Sequence, residues 1–340
     1  MKKKIVKAII ALVIIATLII AGRYHFPRSY SSLRGFTQGT TYLVTYLNKE
    51  EINLQPAIDS LLAAFDTSLS TYNQESVISK VNYNDTNVVL DDRFIKVFNK
   101  SREVYHESGG AFDITVAPVV NAWGFGFTDK AEVDSALIDS LVAFVGMDKI
   151  RIENGKVIKE YPQIMLDVNA IAQGYSADVV SEFLDLKGIK DYLVEIGGEV
   201  RTKGRNPKGR DWTIGIDKPL DNNLVPGSNL QAKLRLKNLA MATSGNYRKF
   251  FEENGQKFVH SINPKTGYPV SSNLLSATVI ADDCITADAW ATAFMVMGLS
   301  ETIEFLNKQE KLHAYLIYSD ENGNLKTYST NGLGQLIEEE

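Results

Sequence analysis

Leu275-Ser-Ala-Thr-Val-Ile-Ala-Asp-Asp-Cys-Ile-Thr-Ala-Asp-Ala-Trp-Ala-Thr-Ala-Phe-Met-Val-Met297 is the stretch on which the fold turns. Residues 275–281 form a short apolar run with β-branched members and predict a strand. It feeds a helix over 284–297, and a second helix is expected near 300–308. Strands near 314–318 and 325–329 follow. Working toward the N-terminus, Asn254-Gly255 marks a hairpin joining 248–252 to 257–262. Strands over 192–196, 199–202 and 212–217 surround Gly197-Gly198. A helix covers 172–186. Asn154-Gly155 joins the hairpin strands 149–153 and 156–160. Helices are predicted over 56–69, with Ile58, Leu61, Leu62, Phe65 and Leu69 on one face, over about 92–108 behind an Asp91 cap, and over about 132–145. Residues 40–47 alternate as a strand. Helices and hairpins interleave irregularly, which favours an α+β fold over a doubly wound parallel sheet.

The composition is that of a globular chain. It is 44% hydrophobic and 23% charged, with a single cysteine, Cys284. One cysteine excludes an intrachain disulfide framework and a cysteine-built zinc site. Six of the 36 basic residues, and none of the 41 acids, lie in residues 1–30, so the rest carries 30 basic against 41 acidic groups. An acidic body argues against general nucleic-acid binding. Lys2, Lys3, Lys4 and Lys7 precede an apolar run over 8–22 broken only by Thr17. Charge followed by an apolar stretch has the form of a signal or membrane anchor, placed at 1–22. The lysines put the body on the outward face. Residues 23–35 read as a polar tether and 36–340 as the working domain.

Generic catalytic motifs are absent: no P-loop, no G-x-G-x-x-G opening a helix, no G-x-S-x-G, no H-E-x-x-H. With four histidines, chemistry here would rest on oxygen ligands and backbone groups. Asp288 and Thr292 are four apart on a predicted helix, so they share one face. A carboxylate and a hydroxyl so placed are hard oxygen donors suited to Mg²⁺, although an isolated Asp is as readily a cap or a solvated residue. In Leu166-Asp-Val-Asn-Ala-Ile-Ala-Gln-Gly-Tyr175 a strand ends in Asp167 and enters a helix, whose N-terminus favours phosphate. Gly109-Gly-Ala-Phe-Asp113 allows close backbone approach, and 123–127 offers an apolar wall for a flat ring. His260 ends a strand before a Pro- and Gly-rich loop, where it can contact phosphate or move a proton. Residues 242–248 read as a Ser/Thr/Gly turn with donors for an anion.

Taken in order, these stretches resemble the ApbE family of flavin transferases. The resemblance runs from about Thr37 to about residue 330. It rests on Thr37-Gln-Gly-Thr40, Leu69-Ser-Thr-Tyr72, Gly110-Ala-Phe-Asp-Ile-Thr-Val-Ala-Pro118, Trp123-Gly-Phe125, the run from Asp167 to Tyr175, Gly197-Gly198, Thr243-Ser-Gly245, the His260 loop and Ala287-Asp-Ala-Trp-Ala-Thr292. The resemblance implies a tunnelling-fold-like α+β architecture of mixed sheets and packed helices. It implies Mg²⁺-dependent transfer of FMN from FAD to a Thr or Ser hydroxyl of a partner protein, with release of AMP. The implied metal ligands are the Ala170 carbonyl, Asp288 and Thr292. Tyr72 would pack on the isoalloxazine, with Ala111, Phe112, Asp113, Asp167, Gln173 and Met241 around FAD and His260 by the pyrophosphate. Asp288 and His260 are the candidate bases. The implied acceptors are flavoprotein subunits of sodium-pumping NADH:quinone oxidoreductases or Rnf-type complexes, with the body at the inner membrane facing outward. Gln38 and Ala291 depart from residues common in the family. An FAD pyrophosphatase using the same site, and an FAD-binding protein without turnover, are the competing readings. An exported solute-binding protein would show two similar halves, which this sequence lacks.

Overall fold

The computed structural model describes residues 29–127, 131–220, 223, 225, 227–246, 250–253, 256–259 and 261–338. The predicted segment at 1–22 and His260 lie outside them. Among the described residues no helix is long and apolar enough to cross a membrane.

The chain forms fifteen strands and seven helices within the described residues. The strands are β1 (Tyr30–Thr37), β2 (Thr40–Leu47), β3 (Ile150–Glu153), β4 (Lys156–Lys159), β5 (Tyr192–Ile196), β6 (Glu199–Lys203), β7 (Trp212–Asp217), β8 (Leu230–Leu236), β9 (Ala240–Gly245), β10 (Phe250–Glu253), β11 (Gln256–Val259), β12 (Leu274–Ala281), β13 (His313–Ser319), β14 (Leu325–Ser329) and β15 (Ile337–Glu338). The helices are α1 (Gln55–Leu69), α2 (Val77–Asn82), α3 (Asp92–Glu107), α4 (Ala117–Ala122), α5 (Ser135–Val142), α6 (Ala172–Leu186) and α7 (Cys284–Leu306). Eight strands make the main sheet in the order β1-β2-β5-β6-β9-β12-β13-β14, and every pairing in it is antiparallel. The α+β class therefore holds, but the expected mixing of strand directions within the sheets does not. β1–β2, β5–β6 and β13–β14 are joined directly, β2–β5 and β12–β13 through helices, β6–β9 through β7 and β8, and β9–β12 through the β10–β11 hairpin.

The helices cover one face. Tyr42, Val44, Tyr192, Val194 and Ile196 of the sheet pack on Ile58 and Leu62 of α1 and on Ala177, Val180 and Leu184 of α6. Ala242, Ala277, Val279, Ala314 and Leu316 pack on Ile285, Ala289, Phe294 and Met295 of α7, and beyond these on Phe65, Phe94 and Phe98. On the opposite face the small sheet β15-β8-β7 buries Ile216, Leu234 and Leu236 against Met241, Ile280 and Ile317.

Several local readings need correction. Tyr30–Thr37 is strand β1, so residues 30–35 are not tether; they pair residue by residue with β2. The turn between them is Gln38-Gly39, with φ of 50° and 72°, a two-residue hairpin made without the usual Asn-Gly signal. Residues 240–245, read in part as a turn, are the central strand β9, whose small residues let α7 approach the sheet. Residues 164–167 make a single parallel bridge, Met165 to Val116, rather than a full strand. The helix expected over 132–145 is confined to Ser135–Val142, started by Asp134, which accepts from Leu137 N at 2.7 Å. The two predicted C-terminal helices are the two halves of α7. Gly298, at φ 76° and ψ 179°, breaks the run between them.

Candidate active site

The N-terminus of α6 is where the predicted site residues converge. Asp167 N donates to Ile114 O at 2.7 Å, which lays the Asp113 loop beside the Asp167 segment. Asn82 clamps the same segment from the other side. Its Nδ2 donates to Leu166 O at 2.9 Å and its Oδ1 accepts from Leu166 N at 2.7 Å, in place of a neighbouring strand. Replacing Asn82 by alanine orphans two buried backbone groups. Unfolding free energy should fall by about 2–4 kcal/mol, at roughly 1–3 kcal/mol per group partly offset by relaxation, as read by urea denaturation.

The carboxylates on this segment are strained by their surroundings. Burial pushes Asp113 up to about 6, against the opposing hydrogen bonds from the Thr115 hydroxyl and N–H at 2.6 and 2.7 Å. Burial likewise raises Asp167, whose Oδ1 accepts from Asn169 N at 2.8 Å. Tyr72 lies beside Asp167. Its hydroxyl is within reach of the Asn169 side chain, and the residue is 68% exposed. Ala111 and Phe112 are buried, and Phe112 belongs to the main core, so its backbone rather than its ring faces the loop.

Two hairpin turns close the other side. The Gln173 amide lies about a Cβ contact from the Gly197-Gly198 turn between β5 and β6. Ser176 Oγ donates to Gln173 O at 2.7 Å and lies 3.5 Å from the Gln38 Oε1 of the β1–β2 turn.

The centre is the contact between α6 and α7. Asp288 Oδ2 accepts from Gly174 N at 2.9 Å. Asp288 is 5% exposed, and burial pushes its carboxyl up to about 7. Thr292 follows one turn later, its hydroxyl 3.2 Å from Ser244 Oγ of β9. Ala170 lies one turn before Gly174. Among the described residues its carbonyl accepts no hydrogen bond, because the Gly174 N–H turns to Asp288. Gly174 admits no side chain: a Cβ there would lie 2.4 Å from Cys284 O and 2.6 Å from Asp288 Cβ.

Ala111, Asp113, Asp167, Ala170, Gln173, Asp288 and Thr292 are thus grouped around one helix end, with Tyr72 at its rim. Met241 is apart. Strand alternation turns Ala242 and Ser244 toward the helices, so Met241 points to the opposite face and packs with Ile216, Leu234 and Ile280. Trp123 is no open wall. It is buried in a satellite core with Val119, Ile138 and Ile262, and its indole N–H donates to Gly267 O at 2.8 Å. Three residues were not singled out from sequence: Asn82, Ser244 as the partner of Thr292, and Asp178. Asp178 was legible as an acid four residues after Gly174, on a helix face that must be buried.

Proteins similar to this chain in sequence and fold include several flavin transferases. The family model described as the ApbE family matches residues 38–316. The FAD:protein FMN transferase of Haemophilus influenzae is 36% identical, over 99% of each chain. That of Vibrio cholerae is 35% identical over 84% of this chain and 87% of its own. The solved flavin transferase ApbE from Vibrio cholerae superposes with a TM-score of 0.82 at 32% identity, covering 91% of this chain and all of that one. The apo form of the Pseudomonas stutzeri flavinyl transferase ApbE gives 0.81 at 29% identity, covering 92% and 98%. Sequence match along most of the length and the same overall fold lead to one conclusion: the chain belongs to the ApbE family.

Proposed function

We propose that this flavin transferase moves the FMN half of FAD, with Mg²⁺, onto a Thr or Ser hydroxyl of a partner protein, forming a phosphodiester and releasing AMP. The observation that carries the reading is the oxygen set at the α6 N-terminus. Asp288 is held by Gly174 N through Oδ2, and among the described residues its Oδ1 has no donor. The Ala170 carbonyl is free of backbone partners, and the Thr292 hydroxyl sits one turn along. An all-oxygen set of few protein ligands, leaving room for water and phosphate oxygens, fits Mg²⁺. When bound there, the ion would neutralise the pyrophosphate oxygens and stabilise the departing AMP.

The chain's own residues supply position. The α6 N-terminus favours the negative charge of the pyrophosphate. Tyr72 offers an exposed side chain for the isoalloxazine beside Asp167, whose segment is joined to the Asp113 loop. Gln173 and the Gly197 turn lie against each other on the other side. A proton must leave the acceptor hydroxyl as it attacks. Asp288 is a candidate to take it through its raised affinity for a proton, and His260 is the other. A carboxylate committed to the metal is the poorer base, which favours His260. The acceptors we propose are flavoprotein subunits of sodium-pumping NADH:quinone oxidoreductases or Rnf-type complexes. Residues 1–22 would tether the body to the outward face of the inner membrane, where those subunits are reached.

Intact mass of a Thr-bearing acceptor domain, incubated with the protein, FAD and Mg²⁺, tests this reading. A gain of one FMN that EDTA prevents is expected. Free FMN and AMP beside an unmodified acceptor would replace transfer by hydrolysis. Tyr72→Ala should weaken FAD binding by about 5- to 100-fold, the range of roughly 1–3 kcal/mol for stacking a flat heterocycle on an aromatic ring. Its thermal midpoint should stay put, because the residue is mostly exposed. Unchanged FAD affinity in a fluorescence titration would remove Tyr72 from that role.

A further inference from the structure

We infer that Asp178 is a positioning residue that sets the metal-binding geometry of Asp288; the inference rests on the metal reading above. Asp178 sits on α6, one turn after Gly174. Its carboxylate accepts from Cys284 N at 2.9 Å and from Ile285 N at 2.8 Å, the first two N–H groups of α7. That end of α7 already has a cap of its own, Asp283, which accepts from Thr286 N at 3.0 Å. Asp283 meets only one of the unpaired N–H groups at that helix end, so the buried Cys284 and Ile285 N–H groups need an acceptor from elsewhere. The second acid does something the first cannot: it ties α7 to α6.

The tie is reciprocal. α6 gives Asp178 to the α7 N-terminus, and α7 gives Asp288 to Gly174 N in the first turn of α6. Gly174 and Asp178 are four apart on one helix, and Cys284 and Asp288 are four apart on the other. The two exchanges therefore stack along a single line of contact. The absence of a side chain at Gly174 brings the helices close enough for both. Arg201 Nε lies 3.8 Å from Asp178 Oδ1 and holds the carboxylate from the sheet side. With α7 fixed at its first turn, rotation about its axis is suppressed. Asp288 is then held with Oδ2 on Gly174 and Oδ1 turned away. Without Asp178, α7 keeps its own cap but loses that rotational stop.

The test compares Asp178→Asn with Asp283→Ala in the full-length protein. Mn²⁺ serves as the probe, its binding followed by electron paramagnetic resonance and Tm recorded in parallel. Both variants should lower Tm. Asp178→Asn keeps the shape but removes the charge facing Arg201 and puts an amide NH₂ against the Cys284 N–H, and should weaken Mn²⁺ binding about 10- to 100-fold, as loss of a group that orients a ligand does. Asp283→Ala should leave Mn²⁺ affinity within about twofold of wild type. Equal losses in the two variants, or none in Asp178→Asn, would overturn the positioning role while leaving the metal site standing. Failure of the wild type itself to bind Mn²⁺ would overturn the metal reading and this role with it. Should Asp178→Asn not fold, amide hydrogen exchange of the wild type decides. Gly174, Cys284 and Ile285 should be protected as one group, and exchange at the rate of a frayed helix end would overturn the tie.

Discussion

Asp288→Ala is expected to lower FMN transfer by on the order of 10³-fold or more while leaving most FAD affinity in place. The magnitude follows from what the carboxylate does. Neutralising the phosphate oxygens is worth several kcal/mol in the transition state, and each 1.4 kcal/mol is a factor of ten in rate. Asp288 is the one charged donor of the proposed set, since the Ala170 carbonyl and the Thr292 hydroxyl are neutral. FAD affinity survives because Tyr72, the Asp113 loop and the Gly197 turn are held by other elements. Stability should move little. The Gly174 N–H loses its acceptor, at a cost of about 1–3 kcal/mol, but a carboxylate penalised by burial goes with it. Asp288→Asn separates the two jobs. Its carbonyl oxygen can still accept from Gly174 while the negative charge is gone, so activity should fall nearly as far as in the alanine variant at close to wild-type Tm. Turnover that persists in either variant under saturating Mg²⁺ would remove Asp288 from the metal site.

Which candidate residues share a helix face was easier to read from the sequence than where the strands run. Asp288 and Thr292 could be paired because helical periodicity fixes which side chains share a face, and α7 is helical there. The hairpins at Asn154-Gly155 and Asn254-Gly255 announce themselves through residues that accept positive φ. Strand β1 did not, because Gln38 supplies the positive φ at its turn and its polar residues alternate only weakly. Strand β9 was hidden for a different reason. Ala240, Ala242 and Ser244 are small so that α7 can sit against them, and small residues carry almost no strand signal. Asn82 could not be found at all, since its partner Leu166 lies 84 residues away and the bond is made to backbone. Met241 shows what spacing alone does not tell. A motif places a residue near a site, but only strand alternation decides which face receives its side chain.

Gly174→Ala should damage stability and activity together. The added Cβ would meet the Cys284 carbonyl oxygen at 2.4 Å and Asp288 Cβ at 2.6 Å, distances that no flexible side chain can relieve because one partner is backbone. The helical φ of Gly174 means that alanine gains in local propensity, by at most about 1 kcal/mol, so the loss is purely one of packing. Relief requires α6 and α7 to separate, and overpacking of this kind costs about 1–3 kcal/mol or more. Separation also lengthens the Gly174 N to Asp288 Oδ2 bond and draws the Asp178 carboxylate from Cys284 N and Ile285 N. Each of these leaves a buried group without its partner, adding roughly 1–3 kcal/mol apiece if fully broken. We expect a total loss of about 3–6 kcal/mol in urea unfolding and FMN transfer below detection even at temperatures where the variant is folded. The second part distinguishes a displaced metal site from simple instability. A folded Gly174→Ala protein that transfers FMN at the wild-type rate would mean that the close contact of the two helices is not what holds Asp288 in place.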